Sequence, residues 1–337
     1  MLEIRDLDRE ISAGKIGRLY FFYGQEQFLL ENKIKAIKKR IVEPDFEEFN
    51  FIKIEGKKIT AREIESQVLS VPVMADRKMV VVSKSGIFGN AKTKDFTEVC
   101  ELISDLPEYV TLIFAEEEFD KKKEKNLDII KKNGAVVKFD LLSPKQLEIW
   151  LEKMFEERGK TVLSKDISRM IELSGQSMAR LFNELEKLMG FAADKEKITL
   201  EDIEAVVSKS LEARVFDLID DAAEGRQEKV IEGLGLLRAS GENPATILSL
   251  VASRMGELLM VKQLLGDRLS ADNIATYFEP KKHPFVVKKL CEQSRRFGED
   301  YLREMTLKGT RYAAEVRSGQ LDKWIATELY AAELIKK

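Results

Sequence analysis

The chain has 337 residues, 44% of them hydrophobic and 34% charged, with a formal net charge of −3. That length supports two or three domains and a substantial core. The charge balance excludes a strongly basic nucleic-acid-binding chain, so any DNA contact falls to a local patch or is shared with partner chains. No apolar run reaches bilayer length. Met1 to Glu10 is charged and lacks the apolar core of a signal peptide, so a cytoplasmic chain with no membrane partner is expected.

In chain order, Leu19 to Tyr23 is a continuous apolar run that reads as a buried strand, ended by Gly24. Phe28, Leu29, Leu30, Ile34, Ile37 and Ile41 then recur at helical spacing. Phe49, Phe51 and Ile54 fit a second strand, Ala61 to Leu69 a helix, and Lys78 to Ser83 a third strand. Phe96, Val99, Ile103 and Leu106 stripe a helix over Thr93 to Leu106. Tyr109 to Ala115 is a fourth strand, Lys123 to Lys132 a helix that Gly134 terminates, and Ala135 to Phe139 a fifth strand. Strands alternating with helices of this length imply a mainly parallel sheet covered on both faces, so residues 1–140 form one α/β domain.

After Asp140 strand signals cease. Ser143 followed by Pro144 caps a helix whose buried stripe is Trp150, Leu151, Met154 and Phe155. Ser164 opens a second helix through Leu173, with Gly175 a left-handed terminator. Met178, Leu181, Phe182, Leu185 and Leu188 form a third stripe, and Thr199 to Asp202 resembles a capping box. Residues 141–210 read as a compact helical bundle. Residues 211–337 read as entirely helical, over about 212–223, 226–239, 245–266, 270–278, 284–297, 299–317 and 321–336.

The stretch Ser70-Val71-Pro72-Val73-Met74-Ala75-Asp76-Arg77 stands apart. Pro72 lacks an amide proton and restrains Val71, so the preceding helix stops. Val73 and Met74 fall on a turn or short helix. Two readings stand: the pair folds back into the local core, or it is an exposed contact for another protein.

A nucleotide-binding α/β domain carries a glycine-rich loop and a Lys-Ser/Thr pair after its first strand. Here the loop is Gly24, Gln25, Glu26, Gln27, with no lysine or hydroxyl and a carboxylate where phosphate would sit. The third strand ends in Ser83 and Lys84 rather than an acidic pair. His283, the only histidine, reads as a helix-entry residue, and one histidine all but excludes a triad or a multi-histidine metal site. Cys100 and Cys291 lie in helical patterns without metal spacing and read as free buried thiols. Glu116 to Glu118 and the lysines 121–123 and 125 read as a solvated loop, with contact to a phosphate backbone or a partner as the alternative for the lysines. Arg295, Arg296, Arg303, Lys308 and Arg311 read as solvated helix faces. No catalytic residue, metal or cofactor is expected.

Four stretches in order carry a resemblance: Leu19 to Leu29, Pro72 to Val82, Leu181 to Leu188, and Ala213 to Asp220 with Gly241 to Pro244. Together they resemble the delta subunit of the bacterial DNA polymerase III clamp loader, over essentially the whole chain. The resemblance implies an AAA+-like parallel-sheet domain without a functional nucleotide site, then a helical lid domain and a helical collar domain. It implies that the first domain binds the beta sliding clamp through an apolar pair, Val73 and Met74 beside Val71 and Pro72, which wedges into a pocket and springs one ring interface. The family usually has phenylalanine or leucine at the pair. The resemblance also implies a heteropentamer with gamma/tau and delta prime subunits, around primer–template DNA. Gly175 to Arg180 echoes a sensor motif with altered spacing, and Arg180 is given no role. The alternatives are a divergent AAA+ NTPase and a DNA-binding regulatory protein using the helical half.

Overall fold

The apolar runs of the first 140 residues form strands covered on both faces, as a parallel sheet requires. The computed structural model describes residues 2–278, 282 and 284–335; the expectation for His283 lies outside the described residues. In the first of two units, Met1–Leu141, the strands are β1 (Leu19–Tyr23), β2 (Phe51–Glu55), β3 (Lys78–Ser83), β4 (Val110–Glu116) and β5 (Ala135–Lys138). All pair in parallel, in the order β2-β3-β4-β1-β5.

The helices of this unit are α1 (Ile4–Ser12), α2 (Gln27–Ile41), α3 (Glu47–Asn50), α4 (Ala61–Leu69), α5 (Lys94–Ser104) and α6 (Asp128–Asn133). Successive strand residues serve opposite faces. Phe21, Val80, Val82, Leu112 and Phe114 pack with α4, α5 and α6. Tyr20, Phe22, Met79, Val81 and Ile113 pack with α1 and α2.

Two readings change here, and one helix is added. The charged N-terminus forms α1, because Leu7 and Ile11 lie one turn apart and both bury. Phe49 is not in the second strand: it sits exposed on α3, and β2 starts at Phe51. Phe49 and Phe51 imitate a strand alternation, but Glu47 and Glu48 open a helical turn. The helix expected over Lys123 to Lys132 is a 3-10 segment, Lys121–Leu127, followed by α6. Its lysine run offers no apolar stripe to hold a longer α-helix.

The second unit, Leu142–Lys337, begins with α7 (Pro144–Glu156), α8 (Ser164–Ser174), α9 (Met178–Phe191) and α10 (Leu200–Val206). One departure from the all-helical expectation is a pair of two-residue parallel strands, β6 (Thr161–Val162) and β7 (Lys197–Ile198), too short to show an alternation. Trp150, Met154 and Phe182 are half-buried, while Leu147, Leu151 and Phe155 make the buried stripe of α7. Then follow α11 (Leu211–Ala223), α12 (Gln227–Ala239), α13 (Pro244–Gly266), α14 (Ala271–Ala275), α15 (Pro284–Arg295), α16 (Glu299–Arg317) and α17 (Lys323–Ile335). Against the sequence reading, α13 is long and apolar enough to span a bilayer. It packs instead against α11, α15, α16 and α17, and the buried Arg254 on it pairs with Glu257 at 2.8 Å.

The caps predicted at Ser143 and Thr199 form, while Gly175 ends α8 with a positive φ of +83° but an extended ψ. Thr199 and Asp202 make a complete capping box at the start of α10. Lys195 donates to Asp202 at 2.5 Å and the Thr199 amide at 3.0 Å, and these bonds hold the carboxyl down at about 2, below its ordinary 3.8. A depressed carboxyl stabilises the fold above its unfolded value, and the benefit is lost as pH falls toward the folded one. Unfolding free energy should therefore drop between about pH 4 and pH 2 by about 1 kcal/mol from this group, allowing for screening of the exposed Lys195. Asp202→Asn should remove that part of the pH dependence, which chemical denaturation at stepped pH would read.

Candidate functional site

The stretch singled out around Pro72 links α4 to β3. The last helical residue is Leu69, Ser70 turns to an extended conformation, and the chain bends through residues 73–76 without forming a helix. Val71 is 72% exposed, Val73 41% and Met74 78%. The pair therefore does not fold back into the local core. Leu69 and Phe49 are exposed as well. Met74 has φ +50°, a left-handed conformation that a long side chain adopts at a cost.

Buried polar groups hold this tip. Asn50, at the end of α3, is 0% exposed, and its side-chain amide bonds the Val73 backbone twice. The Val73 N–H donates to Oδ1 at 2.8 Å, and Nδ2 donates to the Val73 carbonyl at 2.8 Å. Lys78, the first residue of β3, is 1% exposed. Its ammonium donates to the carbonyls of Gln67 at 2.6 Å and Ser70 at 3.1 Å, and to Ser70 Oγ at 2.5 Å. Three acceptors thus serve its three donors, and burial pushes its pKa down. Tyr109 Oη donates to the Leu69 carbonyl at 2.9 Å, and Arg77 donates to Thr111 Oγ1 at 2.7 Å.

The β1–α2 loop lies at the other end of the strands and is closed. Only Gly24, Gln25 and Glu26 separate β1 from α2. The Gly24 N–H donates to the Glu116 carbonyl at 3.2 Å, the Glu26 N–H to Phe139 at 3.0 Å, and the Gln27 N–H to Gln25 at 3.0 Å. Gln27 Nε2 donates back to the Gly24 carbonyl at 2.6 Å. A phosphate cradle needs free amides, and these are committed. Gly24 has φ +141°, and a Cβ there would lie 2.1 Å from the Phe139 carbonyl oxygen, so only glycine fits. Glu26 is buried, and desolvation raises its carboxyl pKa against the opposing Phe28 amide.

Glu116 is not part of a solvated loop as expected. It ends β4 half-buried, accepts from Ser85 Oγ at 2.8 Å and the Gly86 N–H at 2.9 Å, and burial raises its pKa. Glu117 and Glu118 are exposed, as are Lys121–Lys123 and Lys125. Lys84 bridges Glu55 at 3.0 Å and Glu117 at 3.2 Å. Among the described residues no cluster of three metal-ligating side chains occurs. In the second unit four of the five basic residues named from the sequence have carboxylates beside them: Arg296 with Glu224 at 2.7 Å, Arg303 with Glu299 at 2.8 Å, Lys308 with Glu304 at 2.7 Å and Arg311 with Glu315 at 3.6 Å. Arg180 donates to the carbonyls of Ser208 and Lys209 at 3.3 and 3.1 Å, tying down the segment before α11. Cys291 is buried and Cys100 half-buried, and both are free.

The sequence reading missed Asn50, Lys78 and Tyr109. Lys78 opens a strand whose other residues are all buried, and that was its one signal. Asn50 gave none, because its partner lies 23 residues away.

Two family models match the chain, one within each unit. Residues 20–140 match the family model for the DNA polymerase III delta subunit, and residues 212–334 that for the C-terminal domain of the same subunit. The chain is 24% identical to the DNA polymerase III subunit delta of Bacillus subtilis, over 98% of this chain and 97% of that protein. It is 23% identical to a probable DNA polymerase III subunit delta of Aquifex aeolicus, over 73% of this chain and 71% of that one. The solved structure of the Bacillus subtilis DNA clamp loader delta protein shares the fold, with a TM-score of 0.66 and 23% identity over 99% of both chains. Both family models fall in the expected order and together take in most of the sequence: the chain belongs to the DNA polymerase III delta subunit family.

Proposed function

We propose that this chain binds the sliding clamp and opens its ring for loading onto primed DNA, as a non-catalytic subunit of the DNA polymerase III holoenzyme. The observation that carries the reading is the apolar tip of Val71, Val73 and Met74, held in solvent by buried polar anchors. An apolar side chain kept out of the core and fixed in place is suited to a pocket on another protein. Val73 and Met74 would enter the clamp pocket, with Val71 and Pro72 at its rim. Methionine adapts to such a pocket, which compensates for the bulkier residues usual in the family.

The closed Gly24–Gln27 loop supports a chain that does not itself turn over ATP; the energy for loading comes from nucleotide bound on neighbouring subunits. In this reading residues 1–140 dock on the clamp, 141–210 form the lid and 211–337 the collar, in a cytoplasmic heteropentamer with gamma/tau and delta prime. Primer–template DNA passes through the assembled ring.

The test is calorimetric titration of the purified chain with the sliding clamp of its own organism, with and without ATP. Micromolar or tighter binding that is indifferent to ATP is the expected result. Absence of clamp binding together with binding of ATP would overturn the proposal in favour of a divergent NTPase.

A further inference from the structure

The tip combines features that cost the free chain something and return it nothing. Three apolar side chains are exposed, Met74 is left-handed, and an asparagine and a lysine are buried to the limit. A flexible docking loop needs none of this. Val71 and Pro72 lie between two fixed points: Ser70, held at its carbonyl and hydroxyl by Lys78, and Val73, held at both backbone groups by Asn50. Asn50 pairs with Val73 as a neighbouring strand would, so an exposed residue has a strand-like, shielded backbone. Lys78 has no carboxylate among the partners given above. Its charge is satisfied only while Gln67 and Ser70 stay in place, so releasing the tip strands a buried ammonium.

We propose that Asn50 and Lys78 are positioning residues that hold the Val71–Met74 tip in its docking conformation in the free chain, so that it enters the clamp pre-formed. The inference rests on the clamp-binding reading and adds which residues of this chain fix the conformation of the tip before docking. Pre-organisation saves the ordering of the loop at the moment of binding.

The first measurement is hydrogen exchange on the wild-type full chain. The Val73 amide should exchange far more slowly than an unstructured amide, despite lying in an exposed tip. Exchange at the unstructured rate would overturn the proposal without recourse to any variant. The second is calorimetry against the clamp for Asn50→Ala, which removes both Val73 bonds, and Asn50→Asp, which keeps the acceptor for the Val73 N–H. Asn50→Ala should speed exchange over residues 71–76, leave β3 protected, and weaken clamp binding by about tenfold or more through a less favourable entropy. Asn50→Asp should recover part of both.

A merely structural Asn50 would loosen β3 along with the tip. Faster exchange in the tip with unchanged clamp affinity would overturn the inference while leaving the clamp-binding reading intact. Wild-type affinity in a Val73→Ser, Met74→Ser variant would instead overturn the clamp-binding reading, and the inference with it. If Asn50→Ala does not fold, wild-type exchange and Asn50→Asp decide.

Discussion

Replacing Val73 and Met74 together by serine is expected to abolish measurable binding to the sliding clamp and leave the fold unchanged. Burying two such side chains contributes about 3–6 kcal/mol before ordering costs, roughly a 100- to 10,000-fold change in affinity. Starting from micromolar affinity, that loss removes binding from calorimetric range. Stability should move by no more than about 1 kcal/mol, because Met74 already faces solvent and Val73 is only partly covered in the free chain. Met74 should carry the larger share, since Val73 is partly covered before docking. Unchanged affinity in the double variant would remove Val73 and Met74 from the clamp interface.

The second large effect lies in the helical unit. Gly309 sits where α16 meets α13 and α17, and a Cβ there would fall 2.6 Å from Ala252 Cβ and 2.7 Å from Tyr330 Oη. Neither neighbour can step aside cheaply. Ala252 Cβ is fixed to the α13 backbone, and the buried Tyr330 hydroxyl donates to the Met305 carbonyl at 2.8 Å. Gly309→Ala should destabilise by about 1–2 kcal/mol, because overpacking outweighs the gain in helix propensity. Gly309→Leu should exceed about 3 kcal/mol, the upper end for overpacking. Urea unfolding would read the loss. Clamp binding at low temperature should persist, since the tip belongs to the other unit. A leucine variant as stable as the wild type would mean that α16 shifts to make room.

Much of this was legible in the sequence. β1, β3 and β4 stood out because strands buried on both faces are nearly continuous apolar runs, and Pro72 marked where α4 had to stop. The missing lysine and hydroxyl after β1 already argued against a phosphate site. What was illegible depended on distant partners. Val71, Val73 and Met74 look alike in a sequence whether they bury or not. Their exposure depends on Asn50, on a lysine that composition assigns to the surface, and on Tyr109, which lies 40 residues beyond Leu69. The closing of the Gly24 loop depends on carbonyls of Glu116 and Phe139, more than 90 residues away. Phe49 and the β6–β7 pair were misread for the opposite reason: two or three residues carry too little pattern to tell a strand from a turn of helix.

The tip joins the sheet where β3 begins, and the short β1–α2 loop leaves it where β1 ends. In parallel strands these are opposite ends, separated by about 17 Å for five residues. The two ends of the domain are thus separately editable. The β1–α2 loop can be redesigned around Gly24 without a change reaching the tip except through the packed strands between them. A change at one end of the domain is thereby insulated from the other, and the sheet serves as a fixed frame for both.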